Sequence, residues 1–116
     1  MASEDAFLRA LADLETALHE NWERNKAIRR RIAHIRRQRE NGGTLSSIVT
    51  AETPPLIVQL VTESSRALDE HGARVRRIQV LTLHDEGMTM DEIAEKFGVT
   101  RQRVSSLLRE ARDGTR

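Results

Sequence analysis

The chain has 116 residues, with 19 Lys and Arg against 18 Asp and Glu, so its net charge of +1 is not that of a polycation. This length suits one domain, or a small domain with an extension, rather than two full domains. The chain contains no cysteine, which excludes disulfides, thiolate catalysis and cysteine-ligated zinc.

The remaining composition also bears on the class of protein. Only two prolines, no tyrosine and abundant Ala, Leu, Glu and Arg favour an all-α fold. The four histidines are scattered, so we predict no metal site and no cofactor. No segment approaches the ~18 continuous apolar residues of a membrane span, and no charged-then-apolar leader opens the chain. We therefore expect a cytoplasmic protein without a membrane partner.

The first 40 residues predict one long helix. Neither Pro nor Gly occurs between Ser3, which is placed to cap the helix, and Asn41. A helix with a narrow apolar stripe needs a partner helix, so the pattern predicts a coiled coil. The predicted seam alternates spacings of four and three and consists of Phe7, Leu11, Leu14, Leu18, Asn21, Asn25, Ile28, Ile32 and Ile35.

Charge changes sign along this helix. Residues 1–23 hold six acids against Arg9 alone, and residues 24–39 hold eight Lys and Arg. Two antiparallel copies would set each acidic half against a basic half and Asn21 against Asn25, and a buried polar pair fixes register. We therefore predict an antiparallel homodimer through the nine seam residues. Two alternatives stay open: a hairpin that breaks between the asparagines, and an arginine run that is a solvated or a phosphate-contacting surface.

The rest of the chain divides into a linker and a helical domain. Residues 41–54 are the predicted linker, part of which packs down through its apolar residues Leu45, Ile48 and Val49. The helical domain covers residues 55–116. In it, Thr53 and the two prolines that follow it predict the start of a helix that closes at Gly72, and a further helix covers about 73–86.

The clearest functional signal lies in residues 81–112, which predict two short helices joined by a turn. Thr89 and Glu92 form a capping box at the start of the first helix. Gly98 ends that helix, because glycine takes a positive φ without a Cβ penalty, and Thr100 caps the second helix. The inward-facing residues at helical spacing are Ile93, Ala94 and Phe97, then Val104, Leu107, Leu108 and Ala111.

The spacing within this stretch is typical of a helix-turn-helix. Counted from Met90, Ala94 falls fifth, Gly98 ninth, Val104 fifteenth and Leu107 eighteenth. These positions suit a small residue where the helices cross, a glycine at the turn and branched residues on the inner face of the second helix. The stretch, above all EIAEKFGVTRQRV, resembles the helix-turn-helix of sigma-factor region 4 and of resolvase-type DNA-binding domains. The helix-turn-helix itself is predicted at about residues 89–112.

The second helix, residues 100–112, is the predicted recognition helix for the major groove of double-stranded DNA. Arg can bind guanine, Gln can bind adenine and Ser can bind either, which makes Arg101, Gln102, Ser105 and Ser106 candidates for base contacts. The resemblance implies that Thr100 binds a phosphate. The other candidate phosphate contacts are Arg103, Arg109, Arg74, Arg76, Arg77 and Lys96. The alternative for each arginine is a solvated position on an exposed face.

These observations predict a small dimeric transcriptional regulator that binds a specific DNA sequence. One alternative is an architectural, nucleoid-associated protein that bridges DNA and uses the arginine-rich helix as a second contact. Another is a regulator that contacts RNA polymerase, which the region 4 resemblance allows. We predict no catalytic residue, because the acids beside the motif lie at helix ends, where they serve caps and helix dipoles.

Overall fold

The computed structural model describes residues 5–114. Within that range the chain forms five α-helices and no β-strand, which confirms the predicted all-α fold with a long N-terminal helix. Ser3, the predicted cap, lies outside the described residues. The helices are α1 (Ala6–Glu40), α2 (Leu45–Ala51), α3 (Ile57–Asp85), α4 (Met90–Phe97) and α5 (Arg101–Gly114).

The helices are divided between two compact units. The C-terminal unit combines α1 up to Glu15 with the chain from Asp69 onward, and the central unit is Thr16–Leu68. Over the described residues 5–114, none of the helices has the length and apolar content needed to cross a membrane.

Helix α1 begins at a cap and then continues without a break. The carboxylate of Asp5 accepts hydrogen bonds from the backbone N–H groups of Phe7 (2.8 Å) and Leu8 (3.2 Å), which satisfies two donors that a helix start leaves unpaired. The helix runs through Asn21 and Asn25 to Glu40. The alternative of a hairpin that breaks between the two asparagines is therefore wrong.

The buried side of α1 differs from the predicted seam at every second position. Inside the chain the helix buries Ala10, Ala17, Asn21 and Ile28. Of the nine predicted dimerisation residues, five are buried or half-buried within the chain itself: Phe7, Leu14, Asn21, Ile28 and Ile35. The other four are exposed: Leu11, Leu18, Asn25 and Ile32.

In the central unit, α1 and α3 pair in opposite directions. The Nη1 atom of Arg31, late in α1, donates to the carbonyl oxygen of Pro55 (2.9 Å) and to Oε1 of Glu52 (3.1 Å), both just before α3. The hydrogen bond from Arg66 and, to a smaller extent, the charge of Arg24, two turns earlier in α1, lower the pKa of the Glu63 carboxyl further along α3. We call α1 from Thr16 onward, together with Ile57–Leu68 of α3, the helix pair.

The segment predicted as a linker contains the seven-residue helix α2. Its N-cap is Thr44, whose hydroxyl accepts from the Ser47 N–H at 3.2 Å. Ile48 is buried at 4% exposure, in agreement with the expected packing, whereas Leu45 and Val49 are exposed. The cleft beside Ile48 is lined by His34 and other residues of α1, so α2 lies on that edge of α1.

Helix α3 begins later than predicted and does not end at Gly72. Glu52, rather than Thr53, accepts from the first helical N–H, that of Ile57, at 2.7 Å. Gly72 does not adopt a positive φ, and a Cβ there would meet nothing within 4 Å, so the helix simply passes through it. A glycine within a helix costs only about 1 kcal/mol relative to Ala. The packing of the helix before and after Gly72 outweighs this cost, so the helix does not end there.

The core of the C-terminal unit joins α3, α4 and α5. Its buried residues are Val80, Ile93, Ala94, Val104, Leu107 and Leu108, with Leu81, Leu83, Met88, Met90 and Phe97 packed against them. Burial of a large aliphatic side chain stabilises a fold by roughly 1.5–3 kcal/mol. This cluster therefore holds α4 and α5 in fixed positions on α3.

Candidate nucleic-acid interface

The capping box predicted at the start of α4 is confirmed. The backbone N–H of Glu92 donates to Oγ1 of Thr89 (3.2 Å), and the backbone N–H of Thr89 donates to Oε1 of Glu92 (3.1 Å). Both bonds pair backbone donors that the helix start would otherwise leave to water. The pKa of the Glu92 carboxyl lies below its usual value. The larger cause is the hydrogen bond that the Thr89 backbone N–H donates to the carboxylate, and the Thr89 hydroxyl lowers this pKa further.

We expect Glu92 to contribute to acid sensitivity. Because its pKa is lower in the folded chain, its stabilising effect is present above the unfolded pKa of about 4.3 and is lost as pH falls through the folded value. Glu92→Gln should reduce the fall in unfolding free energy on acidification, and Glu95→Gln, an exposed change on the same helix, should not. Urea unfolding from about pH 3 to 7 tests this. Equal acid sensitivity in the wild type and Glu92→Gln would contradict it.

The turn between α4 and α5 has the predicted residues in the predicted roles. Gly98 adopts the left-handed conformation at φ 65° and ψ 34°. The backbone N–H of Val99 donates to the carbonyl oxygen of Ala94 at 3.0 Å, which closes the end of α4. Thr100 caps α5, since its hydroxyl accepts from the Arg103 N–H at 3.0 Å.

Helix α5 separates an apolar side from a polar side. The buried residues are those predicted: Val104, Leu107, Leu108 and Ala111. On the opposite side, Gln102, Ser105 and Arg109 are exposed. Ser106 is half-buried at the edge of that side, and its Oγ accepts a long hydrogen bond of 3.4 Å from Nη2 of Arg109.

Arg101, the first residue of α5, forms an ion pair that links it to α4. Its Nη1 lies 3.7 Å from Oδ2 of Asp91, and the two side chains are 66% and 76% exposed. An exposed pair of this kind contributes at most about 1 kcal/mol, which a bidentate contact to a base can replace. The pair therefore aligns Arg101 at the start of α5 without holding it there.

Two of the predicted phosphate contacts come together beside the turn. Arg76 of α3 and Arg103 of α5 line one shallow cleft of about 550 Å³ with Phe97 and Val99. Arg103 also lies 3.8 Å from the carboxylate of Glu110. The cleft opens beside the N-terminal turn of α5, where backbone N–H groups and the helix dipole favour an anion.

Three other predicted phosphate contacts lie elsewhere on the C-terminal unit. Arg74 forms an ion pair with Asp13 of α1. Arg77 lines a cleft of about 410 Å³ with Arg9 and with Glu110 near the end of α5. Lys96 lines a separate surface beside Met88, Glu92 and Glu95 on α4. Arg76 and Arg103 are thus grouped beside the turn, and Arg74, Arg77 and Lys96 are not.

Some residues of this surface were not predicted from the sequence. Arg112 lines a groove of about 400 Å³ together with Ser105, Arg109 and His84. The spacing could have revealed Arg112, because it follows Ser105 by seven residues and so shares its side of the helix. Asp91 and Glu110, the partners of Arg101 and Arg103, have no comparable sequence signal. Among residues 5–114, no group of three or more His, Asp or Glu side chains is arranged to hold a metal ion.

A short helix, a left-handed glycine turn and a second helix with an exposed polar face, both packed on a third helix, define a helix-turn-helix. The comparison with known families agrees, because residues 72–115 match the family model described as a homeodomain-like domain. No curated protein and no solved structure matches the chain. The helix-turn-helix supports DNA binding as a general property of this chain.

Proposed function

We propose that the chain is a small dimeric transcriptional regulator that binds a specific sequence of double-stranded DNA, with α5 in the major groove. The observation that carries the proposal is the division of α5. One side is buried in the core, and the other presents Arg101, Gln102 and Ser105 to solvent. These side chains have the donor and acceptor groups that distinguish base pairs in the major groove.

The surroundings of α5 supply the contacts that position it. The N-terminal turn capped by Thr100 directs unpaired backbone N–H groups toward a phosphate. Arg76 and Arg103 lie in one cleft beside that turn, where they can neutralise the same DNA strand. Contacts of this kind fix orientation and add affinity for any sequence, whereas the exposed side of α5 selects among sequences.

The dimer in this proposal follows from the small size of a single helix-turn-helix module. One helix-turn-helix module buries little surface on DNA, and specific regulators usually join two. Two recognition helices related by a two-fold axis read a pseudo-palindrome whose half-sites are spaced by whole helical turns.

Selection from a randomised duplex library with the full chain tests this function. We expect one enriched motif with two-fold symmetry, bound at least about 1,000-fold more tightly than random DNA at physiological salt. The affinity for both DNAs should fall steeply as salt rises, because phosphate contacts release counterions. Failure to enrich any motif, with equal binding to all duplexes, would contradict sequence-specific regulation.

A second candidate function is DNA bridging by an architectural protein. The exposed arginines of α1, among them Arg29, Arg30, Arg36 and Arg37, favour it. Binding that increases with duplex length and does not depend on sequence would support this function over the first.

A further inference from the structure

One face of the helix pair carries large apolar residues that are exposed to solvent. Five large apolar residues there are between 41% and 64% exposed: Leu18, Trp22 and Ile32 on α1, and Val58 and Val61 on α3. Each directly follows a buried or half-buried residue of its own helix, as Leu18 follows Ala17 and Val61 follows Leu60. The five residues therefore occupy equivalent positions in the helical repeat of their helices.

Residues at equivalent positions of two antiparallel helices lie on the same face of the pair. The reason is that a local two-fold axis, normal to the plane of the pair, relates one helix to the other. The five residues therefore form one surface, which we call the apolar face. Residues that directly precede a buried or half-buried position lie on the opposite face, and five of them are charged: Glu20, Glu23 and Arg30 on α1, with Glu63 and Arg66 on α3.

Within the central unit, helix α2 does not cover the apolar face. The cleft beside its buried residue, Ile48, is lined by His34, Ile35 and Gln38. His34 directly precedes Ile35 of the contact, so it belongs to the charged side of α1. The face with the five apolar residues also carries Asn25, Arg29 and Arg36, which directly follow Arg24, Ile28 and Ile35. A layer of two long helices with large apolar residues exposed on one face fits half of a four-helix arrangement.

We infer that a second copy of this chain covers the apolar face, so that two helix pairs stack into a four-helix bundle with the two α1 helices antiparallel. This inference rests on the dimeric form of the proposed function and is independent of how α5 recognises DNA. It moves the dimer interface from the predicted α1 seam to a surface that includes α3. The seam residues Asn21 and Ile28 are buried inside the chain, where a second copy cannot reach them.

The charges along α1 select the second copy as the occupant and set its direction. Glu15, Trp22, Arg29 and Arg36 follow one another at seven-residue intervals and form one exposed row of α1. Reversing this row against itself sets Glu15 opposite Arg36 of the second copy and Trp22 opposite its Arg29. Both pairs are attractive, the first as an ion pair and the second as a cation–π contact. A parallel pairing would instead place like residues together.

The neighbouring row of α1 fits the same reversal. Leu18 then lies opposite Ile32 of the second copy, and Asn25 lies opposite its own counterpart at the two-fold axis. Asn25 is exposed in the single chain, so its amide is available for this pairing. A polar pair at the axis disfavours shifted registers, in which an amide would face an apolar residue.

Two valine substitutions of matched exposure test the surface. Val61→Glu places a charge on the apolar face, and Val49→Glu places the same charge on α2, at sites that are 48% and 44% exposed. We expect the wild type and Val49→Glu to sediment as dimers in the micromolar range, and the dissociation constant of Val61→Glu to rise at least about tenfold. Trp22, the only tryptophan, should emit at longer wavelength when the dimer dissociates.

A charge exchange tests the antiparallel register. Glu15→Arg and Arg36→Glu should each weaken the dimer, and the double variant should restore it, because the two residues then attract each other with reversed signs. A monomeric wild type in the micromolar range overturns the inference, as does Val61→Glu that dimerises like the wild type. Failure of the double variant to restore the dimer overturns the register.

Binding to a single DNA half-site separates this inference from the recognition of DNA. Val61→Glu changes no residue of α5, so as a monomer it should bind DNA with one half-site as the wild type does. It should lose the additional affinity that the wild-type dimer has for DNA with two half-sites. A Val61→Glu monomer that binds two half-sites as tightly as the wild type counts against the inference. Loss of half-site binding in the wild type counts against the proposed function alone.

Discussion

Ile93→Ala is expected to destabilise the C-terminal unit by about 2–5 kcal/mol, the usual range for removing most of a buried Ile side chain. Ile93 is fully buried at 0% exposure and packs in the same cluster as Val80, Val104 and Leu107. The substitution leaves a cavity at the point where α3, α4 and α5 meet. Because a small domain is stable by only about 5–15 kcal/mol, a loss of this size is a large part of the total.

Urea unfolding followed by circular dichroism measures this change. Val99→Ala is the control, because Val99 lies in the adjoining turn but is 37% exposed, and its truncation should cost well under half as much. Ile93 contacts no DNA in the proposed function, so Ile93→Ala should reduce DNA binding only in proportion to the unfolded fraction. An unchanged urea midpoint, or lost binding by a fully folded variant, would contradict this account of α4.

The helix-turn-helix could be predicted from the sequence because its signals act over a few residues. The side chains of Thr89 and Glu92 each form a hydrogen bond with the other residue's backbone across one helical turn. Gly98 adopts the left-handed conformation that the turn requires, and this requirement does not depend on distant parts of the chain. The inner faces of α4 and α5 follow from periodicity for the same reason. In this stretch the local preferences agree with the packing, so each supports the other.

The long helices were predicted less well because their partners decide which residues are buried. Phe7, Leu14 and Asn21 recur every seven residues, belong to the predicted seam and are buried or half-buried within the chain. The sequence pattern of α1 alone does not determine whether Ala17 or Leu18 belongs to the buried side of the helix. In the folded chain Ala17 is buried at 4% exposure, whereas Leu18 is 50% exposed. The continuation of α3 through Gly72 has the same origin.

The surroundings of the arginines depend on contacts between distant parts of the chain. Arg74 pairs with Asp13, which lies 61 residues away in the sequence, and Arg31 pairs with Glu52. No local pattern marks either partner. Sequence reasoning therefore found the arginines themselves, whereas the grouping of Arg76 with Arg103 beside the turn depends on the packing of α3 against α5.

Substitutions at the start of α5 should change the DNA sequence that the chain prefers. Arg101→Ala and Gln102→Ala are each expected to cost about 1–3 kcal/mol at the selected site and to relax the preference at one base pair. Both residues are exposed, and Arg101 loses only a weak ion pair with Asp91 when it turns toward a base. Competition between the selected duplex and single-base variants measures the loss position by position.

Arg101→Lys separates base recognition from charge. Lysine keeps the positive charge that attracts phosphates but lacks the planar fork that binds guanine through two hydrogen bonds. We therefore expect Arg101→Lys to bind random DNA nearly as well as the wild type, with the same dependence on salt, and to lose the preference that Arg101→Ala also loses. Arg76→Ala should do the opposite and weaken all duplexes alike, with a smaller salt dependence. If Arg101→Lys keeps the full preference for the selected duplex over its single-base variants, Arg101 contacts phosphates rather than bases. Base recognition would then be assigned to Gln102 and Ser105.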